Sequence, residues 1–167
     1  VTDRAIFNRK YTDYTPASTQ VWLVNGAGVT TLPVKSQTFV AGTNLIQGDA
    51  VYVSGTQVFP ATAASGDASF KVNAVGFTTT SATVTSGVSV VFDDIALISS
   101  SNLVGETQMV PGQYYYLSKF AGKITQYVTA SGSVTASGGY SNLVSLGVAL
   151  SPSELAVMIA QPVNLYG

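Results

Sequence analysis

Eight carboxylates, nine Tyr, seven Phe and one Trp are the side chains of this 167-residue sequence that could do chemistry. It has no His and no Cys. Imidazole zinc sites, Ser-His-Asp triads and His general bases are therefore excluded, as are thiolate metal sites and a disulfide framework. Catalysis would have to rest on Asp3, Asp13, Asp49, Asp67, Asp93, Asp94, Glu106 and Glu154. Glycoside hydrolysis needs two such groups facing each other, one with a raised pKa. Asp49 and Asp67 each sit in Gly-Asp-Ala, and Glu106 in Gly105-Glu106-Thr107, all of which read as turns. Asp93 and Asp94 close the apolar run Val88 to Phe92. Neighbours on a strand point to opposite faces, so this pair addresses one substrate only where the strand has ended. A calcium site there would need backbone carbonyls to complete it, and a solvated strand end is the simpler reading. No Gly-x-Ser-x-Gly elbow is present. The expectation is a protein that is not an enzyme and holds no cofactor or metal.

The aromatics offer recognition instead. In Tyr114-Tyr115-Tyr116, a strand would put Tyr114 and Tyr116 on one face and Tyr115 on the other. Tyr116 matches Tyr52 in the internal repeat described below, which marks it as structural. Tyr114 and Tyr115 are then the candidates for stacking on a sugar ring or on a neighbouring subunit, with ordinary packing as the plainer alternative.

The elements that must position these residues are strands. Short apolar runs recur at roughly ten-residue spacing between Gly-rich turns: Val21 to Val24, Val29 to Val34, Lys35 to Val40, Ala50 to Ser54, Gln57 to Pro60, Phe70 to Phe77, Ala82 to Thr85, Val88 to Ile95, Tyr114 to Leu117, Lys123 to Val128, Leu143 to Leu150 and Leu155 to Ile159. Asn25-Gly26 and Gly55-Thr56 suit tight hairpins. Only Pro152 to Leu155 hints at a helical turn. The fold class this predicts is all-β, a compact sandwich or barrel-like domain. Residues 61–69 and 129–141 are low-complexity loops of small polar residues.

A weak repeat divides that domain into two similar β halves, about 48–95 and 112–160. Gly48 and Tyr52-Val53-Ser54 match Gly112 and Tyr116-Leu117-Ser118. Gln57-Val58 matches Lys123-Ile124, and Ala74-Val75-Gly76-Phe77 matches Ser145-Leu146-Gly147-Val148. Gly76 and Gly147, each inside an apolar strand, signal a bulge or a close backbone approach. Two such units suggest two sheets packed face to face, or one barrel made of two halves.

Composition narrows the class further. Charged residues are only 9% of the chain and the net charge is −1. Polarity comes from 19 Ser and 19 Thr, while Val contributes 23 residues. Coiled coils and helical bundles need far more Glu, Lys, Leu and Arg. With no basic cluster, no nucleic-acid partner is expected. No apolar run approaches the ~18 residues of a membrane span, so no membrane partner is expected either. Residues 1–20 differ from the rest, holding five of the fifteen charges together with Ile6, Phe7, Tyr11 and Tyr14. They read as an extended N-terminal arm before the β domain of residues 21–167. Arg4, Phe7, Arg9, Tyr11 and Tyr14 are its candidate partner-binding residues, with an ordinary polar terminus as the alternative.

From Gly48 to Ile159 the motifs also resemble a small β domain of tailed-bacteriophage virion proteins, found in capsid decoration proteins and in head and tail fibres. The resemblance rests on Gly48-Asp49-Ala50-Val51-Tyr52-Val53, Val75-Gly76-Phe77, Pro111 to Ser118, Gly122-Lys123-Ile124-Thr125 and Leu146 to Ser151. It covers residues 44–163 and not the first 40. It implies a non-enzymatic virion component, commonly a homotrimer, on the outer surface of a capsid or tail. Its partners would be copies of itself and the major capsid or tail proteins. A glycan-binding receptor module, on a fibre tip or a cell surface, is the rival reading, and a host surface glycan would then be the partner.

Overall fold

A computed structural model of the chain describes residues 35–64, 68–126, 140 and 142–165, and the backbone of 23–24 and 30–31. The chain divides into two compact units, 1–34 and 35–167. In the first, β1 (Leu23–Val24) and β2 (Thr30–Thr31) form an antiparallel pair, Leu23 opposite Thr31 and Val24 opposite Thr30. Asn25-Gly26 and the whole of the arm, 1–20, lie outside the described residues.

The described residues of the second unit are all-β apart from two short 3₁₀ turns, at Ser69–Val72 and Ser100–Asn102. Its first half comprises β3 (Ser36–Ala41), β4 (Ala50–Ser54), β5 (Gln57–Pro60), β6 (Gly76–Thr78) and β7 (Gly87–Val91). These close into a barrel in the order β3-β5-β4-β6-β7. Every pair is antiparallel except β3 with β5. Gly55 takes φ +63°, the left-handed turn that lets β4 double back into β5 after two residues.

Period-two alternation sorts the side chains of this half into two cores. Val51, Val58, Val88 and Val90 join Ala41 and Leu45 in one small cluster. Ala50, Tyr52, Phe77 and Val91 point the other way, into a larger core shared with the second half. Strands buried on both faces read as unbroken apolar runs, which is why Ala50-Val51-Tyr52 shows no polar alternation. Each fully buried Val contributes about 1.5–3 kcal/mol by leaving water.

The second half uses β8 (Ile95–Leu97), β9 (Tyr114–Leu117), β10 (Ile124–Thr125), β12 (Ser145–Ser151) and β13 (Glu154–Val157). A separate antiparallel pair is made by β11 (Asn142–Leu143) and β14 (Val163–Asn164). The sheet order β10-β9-β12-β13-β8 repeats β5-β4-β6-β7-β3 strand for strand. Where β3 and β5 run parallel in the first half, a parallel bridge joins Leu103 to Ile124 in the second.

The registers repeat too. Ala50 faces Phe77, Phe77 faces Val91 and Val91 faces Ser36. In the second half Tyr114 faces Val148, Val148 faces Ala156 and Ala156 faces Ile95. Both central glycines are close approaches: a Cβ on Gly76 would run into the Val91 carbonyl, and one on Gly147 into the Ala156 carbonyl. The fold is thus all-β, with two similar halves.

Some strand boundaries differ from the sequence expectation. Residues 70–77 are not one strand: a 3₁₀ turn and an irregular stretch precede β6, and residues 82–85 hold only an isolated bridge from Ala82 to Leu45 before a turn. Residues 88–95 break at Phe92-Asp93-Asp94, where the chain bends from β7 into β8. Pro152 and Ser153 form a turn, and Glu154-Leu155 begin β13 rather than a helical turn.

Candidate functional site

Two places in the second unit concentrate polar or aromatic chemistry. The first is Asp49. Gly48 at φ +84° turns the chain into β4, and Asp49 is 6% exposed just behind it. Its Oδ2 accepts from the Ile46 N–H at 3.0 Å, and its Oδ1 accepts from Asn102 Nδ2 at 3.2 Å. Lys123 Nζ lies 3.9 Å from Oδ1. Asn102 is held in turn by Ser99, whose N–H and Oγ both donate to Asn102 Oδ1. Thr78 Oγ1 accepts from the Asp49 N–H and donates to the Ile46 carbonyl. Asp49, Ile46 and Thr78 belong to the first half, Asn102 and Lys123 to the second.

Burial raises the Asp49 pKa above its ordinary 3.8, against the opposing pull of the Ile46 N–H, Lys123 and Asn102. A cleft carboxylate with a raised pKa is a candidate acid. This one is enclosed and spends its oxygens on structural donors, so its chemistry here is to tie the halves together. The Gly-Asp-Ala turn signature holds for its backbone but missed this role. The usable signal was in the repeat, where Gln113 stands in the place of Asp49.

The second place is the outer face of the second sheet. Tyr114 and Tyr116 project to the same side of β9, and Tyr115 to the other. Across the register, Val148, Ala156 and Ile95 continue the Tyr114 row. Leu150 on β12, Glu154 on β13 and Leu97 on β8 extend the same face, and Met158 continues the alternation past the end of β13. Tyr114, Ile95, Leu97, Leu150 and Met158 are each 47–55% exposed.

Tyr115 requires a correction. It is fully buried, and no ring face is open to a sugar or a subunit. It fills the interior of the second half, where Val51 stands in the first. Its hydroxyl donates to Glu106 Oε2 and accepts from the Val110 N–H, both at 2.9 Å. Glu106 is thereby the partner of a buried phenol. Tyr114 alone of the two candidates is at the surface.

The remaining predicted residues are not brought together. Asp94 lies 3.8 Å from Lys35 Nζ, with both side chains about half exposed, and its Oδ1 accepts from the Ile95 N–H. That is a solvated strand end. Asp3, Asp13 and Asp67, and the arm residues Arg4, Phe7, Arg9, Tyr11 and Tyr14, lie outside the described residues. Among the described residues no three acidic, His or Cys side chains gather at metal-binding distance. No described helix is long and apolar enough to cross a membrane. An open groove of about 570 Å³ runs between Asn73, Val75 and Phe92 on one side and Ile159, Gln161 and Pro162 on the other. Its lining carries no ionisable group.

No protein-family model matches this chain, and no curated protein does.

Proposed function

We propose that this chain is a non-enzymatic structural protein of a tailed-bacteriophage virion, a capsid decoration (cement) protein or a head- or tail-fibre component. It acts by self-association, as a homotrimer, and by attachment to the major capsid or tail proteins on the outer surface of the particle. The observation that carries this reading is the broad apolar face around Tyr114, set on a sheet whose other face is core. Such a face suits association, because apolar and aromatic area dominates the centre of protein interfaces. Low charge, abundant Ser, Thr and Val, and the motif resemblance from Gly48 to Ile159 support the same reading. In it the arm anchors the assembly through Arg4, Phe7, Arg9, Tyr11 and Tyr14, burying ~1,200–2,000 Å² against the particle.

Immunogold labelling and peptide mass spectrometry of purified particles from a producing culture test it. The chain is expected on capsids or tails at regular copy number, and its absence from intact particles refutes the reading. Deleting residues 1–16 is expected to abolish decoration while leaving the β domain folded. Undiminished decoration by the truncated protein overturns the arm assignment. Exposure of Tyr114 favours a second reading, a glycan-binding module. It requires binding on a glycan array that Tyr114→Ala removes.

A further inference from the structure

We infer that the outer face of β9, β12, β13 and β8 is the surface through which one copy of this chain binds another. The inference rests on the self-association part of the proposed function and assigns it a place. Its warrant is the internal duplication. In the first half the row Ala50, Phe77 and Val91 is fully buried or nearly so, inside the core shared with the second half. The second half builds the matching row, Tyr114, Val148 and Ala156, on matching strands in matching register. There Tyr114 is exposed, Val148 and Ala156 are partly exposed, and the row is prolonged by exposed Ile95. The same architecture thus shows one row covered and its counterpart open.

Size and charge choose the occupant. Five large side chains about half exposed, at roughly 200 Å² each, offer about 500 Å². A second copy docking on this face with an equal area of its own surface buries about 1,000 Å² in all, the threshold for a specific protein interface. A single apolar patch of this size is itself near the upper end for a monomer. Glu154 is the one charged residue among the outward positions of these strands. A strongly charged partner would find almost no counter-charge there. A second copy of a chain with only 9% charged residues presents a partner of the same character.

The test is mass in solution of the full chain by light scattering, with the fold checked by circular dichroism and thermal unfolding. Wild type is expected at an integral multiple of 17.2 kDa. Tyr114→Lys, and the double variant Ile95→Lys with Leu97→Lys, are expected to fall to the monomer mass with unchanged spectra. Val84→Lys, at an exposed apolar site on the first half, is expected to keep the wild-type mass. Because the chain has no cysteine, Leu97→Cys supplies a reading that does not depend on lysine variants folding. Its maleimide labelling is expected to slow as protein concentration rises.

Unchanged mass in the face variants, or labelling independent of concentration, overturns the interface. So does a monomeric wild type, including one whose Tyr114→Ala variant loses glycan binding. Presence on particles is scored separately. A monomeric chain found on virions sinks the interface and leaves the functional reading standing, and an oligomer absent from virions does the reverse.

Discussion

Replacing Asp49 probes whether the two halves are held together by chemistry or only by apolar contact. Asp49→Ala removes the acceptor of two donors, the Ile46 N–H and Asn102 Nδ2. Asn102 is fully buried, so its freed N–H faces a penalty of about 1–3 kcal/mol. The hydrogen bond from the Ile46 N–H is only partly buried, so its loss adds about 0.5–1.5 kcal/mol. Relief of a desolvated carboxylate offsets part of this, leaving a net loss of about 2–3 kcal/mol. For a chain of this size that lowers Tm by roughly 5–10 °C. Asp49→Asn keeps one acceptor and turns an amide N–H₂ toward the other donor, so about 1 kcal/mol is expected. The pH dependence gives an independent sign. The folded pKa of Asp49 is raised above 3.8, mainly by burial. Between the unfolded and folded values the native state holds the proton and the unfolded chain does not. The Asp49 contribution to stability is therefore greatest below the unfolded value and falls as pH rises through that window. Denaturant unfolding at a series of pH values is the assay. Asp49→Asn is expected to remove this fall. An Asp49→Ala variant within about 0.5 kcal/mol of wild type would refute the junction. A wild-type curve that, relative to Asp49→Asn, rises with pH across the acid window would refute the assigned sign.

Two further sets of substitutions test the duplication and the corrected tyrosine. Gly76→Ala and Gly147→Ala each drive a Cβ into a facing carbonyl and are expected to cost at least ~2 kcal/mol by thermal melts, while Gly87→Ala, whose Cβ meets only Thr38 Cγ2 at 3.6 Å, stays within about 0.5 kcal/mol of wild type. Equal tolerance at all three positions would deny that the two central glycines do the same job. Tyr115→Phe strips the Val110 N–H of its acceptor and Glu106 of its donor, for about 1–2 kcal/mol. Tyr114→Phe should be silent in the same melt, and an equal loss in both would contradict the opposite burial of the two rings.

The fold was legible where strand chemistry is local. Tyr114 to Leu117 and Gln57 to Pro60 fall where apolar runs flanked by Gly place them. The repeat was legible as well, because Gly48 and Gly112 share a left-handed φ, +84° and +83°, that a side chain would strain. Phe70 to Phe77 misled because its apolar spacing suits a strand, while Val72 reaches the core from a 3₁₀ turn, Ala74 from an irregular stretch and only Phe77 from β6. The run from Val88 to Ile95 misled because β7 and β8 are both apolar, and only Asp93-Asp94 marks the bend. Burial of Tyr115 rather than Tyr114 was not legible. Alternation sets the two on opposite faces but does not say which face is core. The Asp49 contacts were hidden for another reason, since Asn102 and Lys123 lie 53 and 74 residues away.

The two matching rows distribute their bulk differently. In the covered row the edge position is Ala50 and the bulk sits centrally, at Phe77. In the open row the bulk moves to the edges, at Tyr114 and Ile95, and the centre shrinks to Val148 and Ala156. A row packed against its own chain must match a fixed neighbour, and a large ring at the Ala50 position, fully buried as it is, would overpack it. The open row is under no such constraint. A shallow centre rimmed by larger side chains can receive a protruding group from a partner. Ser36, exposed on β3, takes the position that Ile95 holds on β8, so the first half ends its row in a hydroxyl and the second in an aliphatic side chain. An apolar residue exposed at a sheet edge invites edge-to-edge association. Its retention beside Leu97, in a chain with Ser and Thr so abundant elsewhere, fits a strand that is covered in the assembled protein.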